Sequence, residues 1–334
     1  MRERQPPSSL DPSLGDLHER MKEMTVRADV VCASHGSRGM HVDIYDPHGP
    51  VNHRTAILVH HGGGWRLGDR KMMGPRCEAL AARGFTAVAV EYRSIAEAPW
   101  PAQLQDVKAA VRWTHDNAAD LGIDRVVLQG HSAGAHLALI AAGAAGRPDL
   151  DPDIEAAPPG PIAAVVSYYP LVRLDPDMAL PNLAEPGPAT FAALRGPDGS
   201  VPAAMLLGPE GTKDAARAAS PIEYVTEKFP PTILFHGTTD SVVASAASTV
   251  LSEALAASDV SSEVHLIAGV DHEFDATPSL TDVCVPAVES FLRRLIIDPE
   301  AFREEEAATN PIVAMRRAML TRRSGLPTPT YAST

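Results

Sequence analysis

A mostly parallel eight-stranded β-sheet with helices on both faces is the fold class this sequence predicts, and two observations carry it. Short apolar, β-branched runs alternate with longer helical stretches, the pattern of strands buried on both faces and crossed by helices. The residues with reactive side chains follow directly after those runs, at the strands' carboxyl ends, where open α/β sheets bind their ligands.

In chain order, Leu10, Leu14, Leu17, Met21 and Met24 recur at helical spacing behind a cap at Asp11 or Ser13. Residues 1–26 therefore read as an amphipathic helix preceding the core. Strands are expected at 27–33, 40–45, 55–60, 85–91, 125–129, 162–168, 231–236 and 262–268, with the first pair free to be antiparallel. Helices are expected at 73–83, 102–119, 133–145, 242–257 and 280–296. Together these make one domain over 27–297. Its pattern dissolves between about 171 and 220 into sequence rich in Pro, Ala and Gly, read as a cap over the carboxyl ends of the strands. Met178, Leu180, Leu183, Phe191, Leu194 and Met205 are too apolar for a solvated excursion and are candidates to line a pocket. Residues 298–334 form an extension: Asp298-Pro299 opens a further helical stretch, acidic early and basic late, ending in a solvated tail beyond Ser324. Ile312, Val313, Met315, Met319 and Leu320 could bury one side of it, which makes a homodimer contact an expectation.

The most informative segment is Gly130-His131-Ser132-Ala133-Gly134, set between the run Arg125-Val126-Val127-Leu128 and the helical Ala135-His136-Leu137. A serine at a sharp strand-to-helix bend has its hydroxyl lifted out of the backbone. The flanking glycines are expected where a Cβ would clash with neighbouring chain. Upstream, a β-branched strand runs into His61-Gly62-Gly63-Gly64-Trp65. Three glycines are costly to order, so their N–H groups are expected to face a ligand. The N–H groups of Gly63, Gly64 and Ala133 would hold the oxyanion of an acyl-transfer reaction, with Gly62 able to replace one of the glycines. Asp240 closes the run Pro231 to His236-Gly237, and His272 lies just past the last strand. Serine, acid and histidine thus occur in an order suited to a nucleophile, an orienting carboxylate and a general base on successive strand ends. Asp275 is a second candidate for the acid, and Asp271 is too close in sequence to His272 to orient it. His60, His236 and His265, within strands, read as core residues, and His136 reads as a packing residue beside the nucleophile.

These motifs, with the stretch from Glu91 to Gln103, resemble the α/β-hydrolases of the hormone-sensitive-lipase type, a group that includes carboxylesterases and arylformamidases. The resemblance spans residues 27–296 and implies the α/β-hydrolase fold, hydrolysis of a carboxylic ester through an acyl-enzyme on Ser132, and Asp240 and His272 as its partners. It places Trp100 near the entrance, and Trp65, His131, Trp100 and Tyr169 are the residues expected to touch substrate. Many lipase-like members carry Asp where this chain has His131, which looks more like the arylformamidases. That leaves an amide substrate as the alternative to an ester, and a noncatalytic ligand-binding protein as the reading from another class.

The chain of 334 residues carries a formal charge of −13, which argues against nucleic acid and anionic membrane as partners and leaves a small-molecule ester or amide. Its start lacks an apolar signal region and no stretch reads as a membrane span, so a cytoplasmic location is expected. Cys32, Cys77 and Cys284 lack the spacing of a disulfide frame or a zinc site and read as reduced thiols. Neither metal nor organic cofactor is expected.

Overall fold

Val26–His35 and Arg38–Tyr45 form strands β1 and β2, a hairpin turned at Gly36, whose φ of 60° suits a residue without a Cβ. Beyond them lie β3 (Thr55–His60), β4 (Thr86–Val90), β5 (Arg125–His131), β6 (Ala164–Tyr168), β7 (Thr232–Gly237) and β8 (Ser262–Ile267). The computed structural model describes residues 25–48, 50–144, 147, 150, 160–174, 202–208 and 211–324. The helix expected at 10–24, most of the cap segment and the tail beyond Ser324 lie outside the described residues.

One sheet takes all the strands in the order β1-β2-β4-β3-β5-β6-β7-β8. Only β2 runs against its neighbours; the pairs from β4 through β8 are parallel. Apart from Arg125, strands β3 to β7 are buried throughout, as their continuous apolar runs require. β8 is an edge strand and only half-buried, which corrects the reading of His265: it is not a core residue, but pairs with Glu263 at 2.6 Å on the open side. Register aligns His60 with Gly130, Gly130 with Ser167, and Ser167 with Leu234, so the loops leaving β3, β5, β6 and β7 emerge side by side.

The helices follow the expected pattern with informative breaks. Helix α1 (Gly74–Ala81) follows a short 3₁₀ turn capped by Asp69 and packs on β4. The stretch expected as one helix over 102–119 is two, α2 (Ala102–Asp116) and α3 (Ala118–Leu121), because Asn117 turns its side-chain amide back to the Trp113 carbonyl at 2.8 Å. α4 (Ala133–Gly143) begins at the nucleophile bend and packs on α2. Two short helices that the sequence does not announce, α5 (Pro202–Leu207) and α6 (Lys213–Ala218), lie in the described part of the cap segment. α7 (Ala246–Ala257) and α8 (Pro278–Leu292) complete the core pattern.

The chain divides into two compact units, Met1–Val288 and Glu289–Thr334. In the second, α9 (Pro299–Thr309) and α10 (Pro311–Ser324) replace the single helical stretch expected after Pro299. Pro311 supplies no N–H to continue a helix, and the Asn310 side chain accepts from Ile312 N at 3.0 Å to start a new one. The three cysteines are free and buried, and burial pushes Cys32 and Cys284 up to about 12. Among the described residues no helix is long and apolar enough to cross a membrane.

Candidate active site

Ser132 stands between β5 and α4 at φ 54° and ψ −117°, a conformation that a residue with a side chain adopts only under constraint. The constraint comes from both flanking glycines. A Cβ on Gly130 would lie 2.3 Å from the Gly134 carbonyl oxygen, and one on Gly134 would lie 2.4 Å from the carbonyl oxygens of His60 and His61. The bend therefore closes directly against the end of β3, and the Ser132 N–H is tied to the Tyr168 carbonyl of β6 at 3.0 Å.

Three residues far apart in sequence meet above this bend. His272 Nε2 lies 3.0 Å from Ser132 Oγ, and His272 Nδ1 lies 2.8 Å from Asp240 Oδ2. The other Asp240 oxygen accepts the N–H groups of Val242 and Val243, each at 2.8 Å. Burial alone would raise the Asp240 pKa, but hydrogen bonds from His236 and His272 and the Val243 N–H outweigh it and hold the carboxyl far below its ordinary range. An ionised Asp240 accepts from Nδ1–H and leaves Nε2 free to accept the serine proton. Asp271 fixes the loop: its Oδ1 accepts from Ser241 N at 2.7 Å and from His272 N at 2.7 Å.

The glycine loop reverses sharply after β3, with positive φ at Gly63, Gly64 and Trp65. Gly63 has no alternative residue, since a Cβ there would fall 2.1 Å from the Leu67 carbonyl oxygen. Its own carbonyl accepts the N–H groups of Arg66 and Leu67, while no backbone acceptor takes the N–H of Gly63 or Gly64 among the described residues. The Ala133 N–H opens α4 and has no partner within the helix.

The residues expected to touch substrate divide differently. Trp65 is only 1% exposed, because the reversal folds it under the loop, where its indole N–H donates to His136 Nδ1 at 3.3 Å. His136 in turn donates from Nε2 to the Ala219 carbonyl at 2.7 Å, so both ring nitrogens are used and burial lowers its pKa to about 4. His131 and Tyr169 are buried as well. Asp275 engages both: its carboxylate accepts from Tyr169 OH at 2.5 Å, from His131 Nδ1 at 3.1 Å and from Arg76 Nε at 2.6 Å. Gln129 Nε2 closes the far side of His131 at 3.1 Å. Trp100 alone of the four is partly exposed, with its ring 5.9 Å from that of His136. No local pattern announces Arg76, which meets Asp275 across a separation of 199 residues. Among the described residues no group of His, Cys, Asp or Glu is placed to hold a metal ion.

Residues 42–255 match the family described as BD-FAE. Esterase LipQ of Mycobacterium tuberculosis is 30% identical over 245 residues, 72% of this chain and 55% of that protein. Carboxylesterase NlhH of the same organism is 31% identical over 189 residues, 55% of this chain and 52% of that protein. The chain thus spans about half the length of these curated relatives. Among solved structures, the butyrate-bound thermophilic esterase Est2 of Thermogutta terrifontis superposes with a TM-score of 0.64 at 27% identity, covering 84% of this chain and 97% of that one. A truncated carbohydrate esterase from gut microbiota gives 0.63 at 27% identity, over 80% and 96%.

Proposed function

Because the chain belongs to the BD-FAE family and has the α/β-hydrolase fold, we propose that it is a serine hydrolase cleaving carboxylic esters with short acyl groups through an acyl-enzyme. The observation that carries the reading is the hydrogen-bonded chain from Ser132 Oγ through His272 to Asp240, at 3.0 and 2.8 Å. His272 Nε2 takes the Ser132 proton as Oγ attacks the carbonyl carbon, and Asp240 holds the tautomer and stabilises the imidazolium. The N–H groups of Gly63, Gly64 and Ala133 receive the developing oxyanion, with Gly62 beside them. His272 then passes its proton to the departing alcohol. A water molecule, deprotonated by the same nitrogen, releases the acid and restores the serine.

Butyrate and propionate in solved structures of the Thermogutta esterase support a short acyl group. The amide alternative drew on His131, and that side chain is engaged with Asp275 and Gln129 rather than offered to a ligand. The reading is tested by assaying p-nitrophenyl butyrate beside N-formylkynurenine, with wild type and Ser132→Ala. Ester turnover should exceed formamide turnover and fall by about ten-thousandfold in the variant. A formamide cleaved far faster than the ester would reverse the substrate class. A variant that keeps substantial activity would displace Ser132 as nucleophile, and turnover of neither compound would favour a binding protein.

A further inference from the structure

Glu273 follows His272 directly and holds a left-handed backbone at φ 56° and ψ 25°. Side-chain-bearing residues seldom sit there, and such strain gathers at functional sites. The Glu273 carboxylate lies beside Gly62 of the glycine loop, next to the nucleophile bend. Oε1 lies 3.6 Å from the point where a Cβ on Gly62 would stand, and that point is 3.3 Å from Ser132 Cβ and 3.2 Å from the His131 carbonyl oxygen. Glu273 is exposed, and its carboxylate makes no hydrogen bond or ion pair among the described residues. The cation in its vicinity, Arg76, is bound to Asp275 at 2.6 Å. The neighbouring carboxylates are committed too, Asp240 to His272 and Asp271 to Ser241.

Arg76 is one positive charge against two carboxylates, Asp275 and Glu273, so the rim stays net negative. That charge works against a neutral ester, because it opposes the charge that grows on the carbonyl oxygen. A substrate that brings its own positive charge turns the same field into an attraction. His272 must hand its proton to the departing group, so the alcohol portion of an ester faces the His272 loop, which also carries Glu273. The formal charge of −13 adds a long-range pull in the same sense. On the esterase reading above, we propose that Glu273 is a specificity-determining residue selecting esters whose alcohol portion carries an ammonium group.

The test uses butyrylthiocholine and its neutral carbon isostere, in which a tert-butyl group replaces the trimethylammonium, both followed by thiol release. Wild type should favour the cation in kcat/KM by about tenfold, and about 1 M salt should compress that preference. Glu273→Gln should lower kcat/KM for the cation by about tenfold and raise it a few-fold for the isostere, with Glu273→Lys shifting both further the same way. Opposite signs on the two substrates are the signature, since a structural lesion would depress both. Equal losses, or no change on either, overturn the assignment. Turnover of p-nitrophenyl butyrate that depends on Ser132, without the crossing, sinks the role of Glu273 alone. No turnover of any of the three esters sinks the esterase reading and this inference with it.

Discussion

The ring of Tyr169 packs 4.4 Å, centroid to centroid, from that of His272 and turns its hydroxyl the other way, onto Asp275. One face of the proposed base is thereby held by a side chain that is itself held from behind. Tyr169 adopts φ 40° to do this and is fully buried. Tyr169→Phe keeps the ring but leaves a buried carboxylate one donor short, which should cost about 1–3 kcal/mol in urea unfolding. Ester turnover should then lose a few-fold in kcat with KM nearly unchanged, because the imidazole is less firmly placed. Unaltered stability would mean that the hydroxyl is not a working partner of Asp275.

Asp240 and Asp275 are separated by what each carboxylate touches. Asp240 reaches His272, whereas Asp275 serves Arg76, Tyr169 and His131, and its carboxyl is held well below the ordinary range because His131 and Arg76 together outweigh the cost of burial. Asp240→Asn should therefore lose about ten-thousandfold in kcat with a modest change in stability. Asp275→Asn should do the opposite: it breaks a buried ion pair, at about 3–5 kcal/mol, while the folded fraction keeps most of its turnover. Chemical denaturation and single-turnover kinetics on both variants decide the matter, and a larger catalytic loss in Asp275→Asn would exchange their roles.

The sheet was legible because its central strands are short apolar runs, so Thr55–His60 and Thr232–Gly237 fall within a residue of their expected bounds. Ser132, Asp240 and His272 stand out in the sequence as candidates because each follows a strand. What escaped were directions rather than positions. Trp65 reads as a ligand contact until three successive positive φ angles carry it beneath the loop, and the ring of His131 is buried against Asp275 and Gln129 although the residue adjoins Ser132. The Arg76–Asp275 pair joins α1 to the His272 loop through space, and nothing in the sequence near either residue encodes the other.

Gly134 tests the steric account of the bend. Its absent Cβ leaves room for two backbone carbonyl oxygens, those of His60 and His61, which belong to β3 and the glycine loop and cannot swing aside as a flexible side chain would. Gly134→Ala should force β3 and the bend apart, and the expected outcome is a loss of stability of roughly 1–3 kcal/mol or more together with loss of ester turnover. Gly122→Ala is the control: it carries the penalty of a positive φ, at 64°, which Gly134 does not, yet it meets nothing within 4 Å. It should cost only about 1 kcal/mol, with turnover retained. Equal effects from the two alanines would refute close approach as the reason for Gly134.

Stability should depend on pH through histidines that fold in their neutral form. Burial lowers His60, His61 and His136 from 6.5 to about 4. As pH falls below the unfolded value of 6.5, the unfolded chain takes up protons that these folded residues refuse until about 4. Their contribution is thus fully present above that window and is lost on acidification through it, at up to about 1.4 kcal/mol per pH unit for each histidine. Asp240 and Asp275, held below the ordinary carboxylate range, run in the same direction but act only at lower pH, so the two groups separate on the pH axis. Urea unfolding between about pH 7 and about pH 5 should show the loss. In His136→Gln the amide can still accept from Trp65 and donate to Ala219, so the variant removes one proton from the slope while sparing both bonds. A slope that is flat in wild type, or unchanged in His136→Gln, would mean that His136 is not buried as a neutral ring.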